Sequence, residues 1–288
     1  MIEELRQRLR GLEKPPGLED GPAALPLGAS AVDRVLGGGL MRGALHEIAA
    51  LGEAHAAAAT GFVAGVAALA ALSSPSPRLQ GEGWGEGAFP KAQTCGEAPS
   101  PGSLRDPTSP RTAGRGKHLV WVAEDMAALE SGALHGAGLD GFGVRPERLV
   151  TVSVAQRRDL LWTMEEALRC RAVSCVIGEM RHGALDAVAV RRLSLAAAET
   201  AALALILRAG PGDDASTAAT RWIVSAAAAE SAEPRMLAQL VRNRRGPRGQ
   251  WILEWSDSDG RFTCAAHAQP VALPPRHRPH QKIARSVA

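Results

Sequence analysis

The chain has no tyrosine, and its few phenylalanines and tryptophans bring the aromatic content to only 3%. Together with heavy use of alanine, this reads as coding bias rather than as a functional signature. Cysteine is also scarce: Cys95, Cys170, Cys175 and Cys264 form no CxxC pair and have no histidines at zinc-ligand spacing. That argues against a disulfide framework or a zinc module and points to reduced thiols. Cys170 and Cys175 flank a predicted helix end and strand, and both are expected to be buried structural residues. No apolar run approaches the roughly 18–20 uninterrupted residues of a membrane span. The opening "MIEELRQRLRGLEKPPG" is charged and lacks the apolar centre of a signal peptide, so the expected location is the cytoplasm. Lysine is the most informative shortage. The chain has four, Lys14, Lys91, Lys117 and Lys282.

What is present suffices for one large domain with appendages: 288 residues, 45% apolar and 22% charged. The net charge of +3 conceals an asymmetry. From Arg235 to the end there are ten Lys+Arg against three Asp+Glu, a local +7 that leaves −4 on the remainder. Basic ends of this kind meet nucleic acid or an acidic partner, or are simply solvated.

Residues 1–24 read as a short amphipathic helix and linker, with Ile2, Leu5, Leu9 and Leu12 at helical spacing. A compact α/β region, first part 25–72, follows. In it "ALHEIAA" is a strand and "AATGFVAGVAALAAL" (Ala58 to Leu72) a buried helix. Ser73 to Gly116 holds seven prolines and eight glycines in 44 residues. Such a stretch buries too little apolar surface to offset its ordering entropy, so 73–116 is expected to be a disordered insertion.

The core resumes over 117–270. "HLVWVAE" (His118 to Glu124) is a strand of the continuously apolar, buried-parallel type. A helix over "MAALESGALHGAG", a strand over "PERLVTVSV" (Pro146 to Val154) and an amphipathic helix over "AQRRDLLWTMEEALRC" follow. The last of these should bury Leu160, Leu161, Met164 and Leu168. Strand "AVSCVIGEM", helix "ALDAVAVRRLSLAAAET" and strand "AALALILR" complete the alternation. From "RWIVSAA" onward the strands come close together, as "MLAQLVRN", "GQWILEW" and "RFTCAA", with turns at "RGPRG" and "DSDG". The expected fold is α/β: a mainly parallel sheet extended by antiparallel C-terminal strands, then a flexible basic tail over 271–288.

The frame of "HEIAALGEAHAAAATGF" is strand, loop and helix, where a P-loop ATPase holds its phosphates. A Walker A loop, G-x-x-x-x-G-K-[ST], needs a lysine for the β- and γ-phosphates and a hydroxyl for magnesium. Only Lys117 follows a glycine, and position 111 is arginine where the motif needs glycine. No Walker A exists in any register. Thr60 and the helix start beside it would attract an anion, but a triphosphate would stay largely uncompensated. The small residues Ala56 to Ala59 are read as packing. Gly52, Thr60 and Gly61 are therefore a degenerate P-loop region, and no nucleotide or metal cofactor is expected.

"LPLGASAVDRVLGGGLMRGALHEIAA" resembles the opening of the RecA-type recombinase core. Gly28, Asp33, Leu36, Gly37 to Gly39, Leu40, Gly43 and Glu47 stand in that family's order. "GALHEIAALGEAHAAAATGF", "ATRWIVSAA" and "LVRNRRGPRGQWILEW" resemble ImuA, the RecA-related accessory family of bacterial damage-induced mutagenesis, in its alphaproteobacterial type. The resemblance covers about Leu25 to Leu72 and His118 to Leu273, and the insertion falls outside it. It implies a RecA-like αβα core without recombinase activity. The implied partners are ImuB, a catalytically dead Y-family polymerase homologue, an error-prone replicative-type polymerase, and RecA itself. It also places Glu124 where recombinases keep a water-polarising glutamate, and Gly178–Glu179 where the magnesium-binding aspartate ends its strand. Both glutamates are read as vestigial, Glu124 as a helix-start carboxylate.

The turn in "RNRRGPRGQWILEW" carries Arg242, Arg244, Arg245 and Arg248. They fit DNA contact, docking of an acidic partner, or a solvated turn. Trp251 and Trp255, four apart on a strand with Leu253 between, share one face and are expected in the core. The expected function is a non-catalytic adaptor for SOS-induced translesion DNA synthesis. The alternatives are a divergent ATPase using Thr60, Glu124 and Glu179 with a cation from a neighbouring subunit, or a stand-alone single-strand DNA-binding protein.

Overall fold

The computed structural model describes residues 24–73 and 117–265, apart from 127–128, 130–131, 181–184, 213–216 and 229–232. The expected N-terminal helix, the insertion beyond Ser73 and the basic tail lie outside the described residues.

Two short strands, β1 (Ala24–Leu25) and β2 (Leu40–Met41), pair antiparallel around helix α1 (Ser30–Leu36). The main sheet begins with β3 (Ala44–Ala50), followed by α2 (Ala56–Leu72), β4 (His118–Glu124) and the short α3 (Gly136–Asp140). Next come β5 (Leu149–Val154), α4 (Arg157–Arg169), β6 (Val173–Met180), α5 (Ala187–Thr200) and β7 (Leu203–Arg208). The chain closes with β8 (Thr220–Ala226), β9 (Arg235–Asn243), β10 (Gly249–Ser256) and β11 (Arg261–Cys264). These nine strands form one sheet in the order β11-β10-β9-β8-β3-β7-β6-β4-β5. Pairing is parallel from β8 through β3 to β5 and antiparallel from β8 to β11. The expected fold class is the observed one.

Helices cover both faces of the parallel part, which is why every residue of β3 and β7 is buried. Helix α4, with Leu160, Met164 and Leu168, and helix α5, with Val190 and Leu193, close one face. Helix α2 closes the other. It is buried almost throughout from Ala59 to Ala71, and its small side chains let it press onto the sheet. A methyl group added at Gly65 would sit 2.6 Å from the Phe262 ring and 2.9 Å from the Trp255 ring. Six of the ten aromatic residues gather at this place: Phe62, Phe142, Trp222, Trp251, Trp255 and Phe262. The scarce aromatics thus join the antiparallel extension to α2.

The stretch Glu53–Leu72, mean hydropathy 1.7, is long and apolar enough to cross a membrane by length and composition, contrary to the expectation that nothing approaches a span. Here 67% of its most apolar window is buried in the fold, as befits a central core helix.

Four further local expectations are corrected. The helix over "MAALESGALHGAG" is not continuous: Gly132 takes φ 85 and residues 132–135 are non-helical, so α3 starts only at Gly136. The strand from Pro146 begins at Leu149, because Pro146–Arg148 form a 3-10 turn. Leu161 is half-buried, since it sits at the rim of the α4–sheet contact instead of on its axis. Cys175 is buried but Cys170 is exposed, because it follows the last turn of α4 and the chain re-enters the sheet only at Val173.

Candidate functional site

The glycine-rich segment that carries the recombinase resemblance lies before β3, at the opposite end of the sheet from a phosphate site. The Asp33 carboxylate accepts hydrogen bonds from the amides of Leu27 (2.8 Å) and Gly28 (3.1 Å). Burial nonetheless raises its pKa above the ordinary carboxylate value. Gly37 ends α1 in the left-handed conformation, which a glycine adopts without a Cβ penalty. Gly39 takes φ 134, and a Cβ there would fall 2.1 Å from the Leu25 carbonyl oxygen. These residues fold a turn and admit a close backbone approach.

The phosphate position itself is the link from β3 to α2. The Leu51 amide donates to the Val224 carbonyl (2.9 Å), and the Ala226 amide donates to His55 Nδ1 (3.2 Å). Glu53–His55 form a 3-10 turn whose His55 amide is spent on the Gly52 carbonyl. If Gly52 opens the motif, Ala57, Ala58 and Ala59 stand at the second glycine, the lysine and the hydroxyl. Ala59 is wholly buried and Ala58 packs against the core. Glu53 puts a negative charge in the 3-10 turn that leads into α2, near the helix start where a bound anion would otherwise be favoured.

Beside this link is a cavity of about 360 Å³ at the C-terminal ends of β3, β6 and β7. Its lining includes Thr60, Gly61, Leu134, Phe142, Glu179 and Arg208. Three of the sequence-derived residues, Thr60, Gly61 and Glu179, therefore come together, while Gly52 and Glu124 are not in the lining. Glu179 accepts a hydrogen bond from Trp121 Nε1 at 3.0 Å. Its neighbour Gly178 faces the other side of the sheet, where Met164 Sδ fills the space a side chain would need. Glu124 also belongs to that side, held by Arg157 Nε of α4 at 3.3 Å. The walls contributed by Phe142, Leu134 and Arg208 had no sequence signal, because tertiary packing alone brings distant segments to one strand end. Among the described residues no group of three or more His, Cys, Asp or Glu side chains gathers as a metal set.

The basic hairpin joins β9 to β10 at the other end of the sheet, beside the beginnings of β3 and β8: His46 pairs with Thr220, and Thr220 with Asn243. Asn243 organises its turn. Its Nδ2 donates to the carbonyls of Val35 (3.2 Å) and Pro247 (3.1 Å), and its Oδ1 accepts from the Arg245 amide (3.1 Å). The Arg244 amide donates to the Ala219 carbonyl and its guanidinium to the Thr217 carbonyl. The tip is thereby fixed against α1 and the start of β8. Arg244, Arg245 and Arg248 are exposed, and Arg242 is half-buried. Trp255 is buried, with Nε1 donating to the Gly141 carbonyl at 2.9 Å, and Trp251 is half-buried against Trp222.

No protein-family model matches the chain, and no curated protein sequence matches it. Among solved structures, a crystal structure of the RadB recombinase aligns with TM-score 0.51 at 11% identity, covering 84% of this chain and 99% of that one. At that identity the likeness speaks for the fold, which is RecA-like.

Proposed function

We propose that the chain is a non-catalytic RecA-like adaptor in damage-induced, error-prone translesion DNA synthesis. In this role it organises an ImuB-like Y-family protein and an error-prone polymerase, with RecA as a further partner. The observation that carries the proposal is the combination of a RecA-like frame with alanines at the phosphate-binding positions. Ala57 to Ala59 replace the groups that would hold a triphosphate, and Glu53 and Glu179 add negative charge beside it. The core is kept while alanines stand at the Walker lysine and hydroxyl positions, with Arg208 as a cation in the cavity lining, and this supports a function carried by surfaces. Titration calorimetry of the purified chain with ATP and magnesium is expected to give no binding heat. An affine interaction with a protein expressed after DNA damage, of the Y-family type, is expected in a pull-down. Retrieval of no such protein from damaged cells would count against the adaptor role.

One observation favours a second reading. Thr60 and Glu179, from distant parts of the chain, line the same cavity, as a divergent ATPase would require. Magnesium-dependent ATP affinity that disappears in Glu179→Ala would establish that reading over the first.

A further inference from the structure

Several arginines elsewhere in the fold are held by carboxylates: Arg157 by Glu124, Arg169 by Glu165 and Glu166, Arg221 by Glu47, Arg235 by Glu254 and Arg261 by Asp259. What sets the hairpin tip apart is that it gathers arginines without such partners in one turn. Among the described residues Arg242, Arg244, Arg245 and Arg248 have no carboxylate partner. Neither does Arg34, exposed on α1 one residue before the carbonyl that Asn243 holds. The nearby acid of α1, Asp33, is engaged by the Leu27 and Gly28 amides. Two elements distant in sequence thus present guanidiniums with no carboxylate partner among the described residues, on a turn whose backbone is fixed by hydrogen bonds, so binding need order the side chains but not the turn.

We infer that Arg34 on α1 and Arg245 and Arg248 on the hairpin tip, with Arg242 and Arg244 beside them, form a surface that binds the phosphodiester backbone of DNA. A stable folded partner favours an interface with an apolar core. The large exposed apolar side chains include Trp162, Val188 and Leu195 on α4 and α5, and none lies on α1, β9 or β10. Bases are not read here either. The Trp251 ring is committed to the aromatic cluster with Trp222 and lies against Gly249. Recognition is therefore electrostatic, independent of sequence, and separate from the cavity at the far end of the sheet. The DNA-related role proposed above is the setting for this inference, but the test needs no partner, so the two stand or fall separately.

Fluorescence anisotropy of the full chain with labelled oligothymidylate and with a labelled duplex, across a salt series, tests it. One phosphate contact from each of the four exposed arginines, Arg34, Arg244, Arg245 and Arg248, predicts a log–log salt slope of roughly −3 on the single strand and roughly −4 on the duplex. The arm with the tighter binding identifies the form of DNA. Reversing Arg34, Arg245 and Arg248 to Glu should weaken binding at least about 100-fold at low salt, and changing them to Lys should keep it within several-fold. Circular dichroism of both variants monitors the fold; if the reversal variant unfolds, Arg245→Ala with Arg248→Ala gives the comparison. No binding to either DNA at low salt, affinity unmoved by the substitutions, or equal binding of polyglutamate would overturn the inference. The last result would assign the surface to an acidic protein.

Discussion

His46 lies wholly buried on β3 in a closed chain of polar groups. Trp222 Nε1 donates to Thr220 Oγ1 (2.9 Å), and the Thr220 hydroxyl reaches His46 Nδ1 (2.7 Å). His46 Nε2 in turn donates to the Met41 carbonyl (2.9 Å). This arrangement uses a neutral imidazole, and burial lowers its pKa to about 4. Below the ordinary value near 6.5 the unfolded chain takes up a proton that the folded chain refuses. The stability from His46 is thus complete above about pH 6.5 and is lost as pH falls toward 4, by about 3 kcal/mol in all. Urea midpoints measured from pH 7 to pH 4 should fall more steeply for the native chain than for His46→Gln. Parallel slopes would show that His46 does not titrate as described. Nothing in "ALHEIAA" reveals this role, since the partners come from two other strands, Met41 from β2 and Thr220 and Trp222 from β8.

At the scale of the element, α2 sets two effects against each other. Gly65→Ala would gain about 1 kcal/mol of helix propensity, but the new methyl would press on the Phe262 and Trp255 rings at 2.6 and 2.9 Å. Overpacking of this kind costs about 1–3 kcal/mol, so packing should win and the variant should be less stable. Gly52→Ala, in extended backbone with no atom within 4 Å of the added Cβ, should leave the denaturation midpoint nearly unchanged. A stabilised Gly65→Ala would show that the rings yield freely. The run of small residues in "AAAATGFVAGVAALAAL" signals a buried helix from sequence alone. Which aromatic rings occupy its grooves does not follow from that run. The same limit applies to the helix expected over residues 126–138: its composition suits a helix, yet a positive-φ glycine at 132 breaks the chain there.

Across the whole molecule, the described core closes without residues 74–116. β4 is paired on both sides by β5 and β6, and α2 is packed along its length before the chain leaves at Ser73. Replacing 74–116 by a short Gly/Ser linker should therefore keep the melting temperature within a few degrees by differential scanning calorimetry. Aggregation or a large drop would assign that segment a structural role. Strand and helix order were legible because burial on two sheet faces writes continuous apolar strands, and burial on one writes alternation, as in β9. The absence of a Walker lysine was legible too, being a fact about residue identity. The sequence by itself thus determined the α/β alternation, the antiparallel extension and the lack of a phosphate-binding lysine. Tertiary structure decided that Thr60 and Glu179 share a cavity while Glu124 faces the other helix layer, and that α1 is bonded to the hairpin tip through Val35 and Asn243. The physical reason is that periodicity records only which face a residue presents. Which faces meet is settled by strand order and by hydrogen bonds such as that from Asn243 to Val35, between residues far apart in the chain.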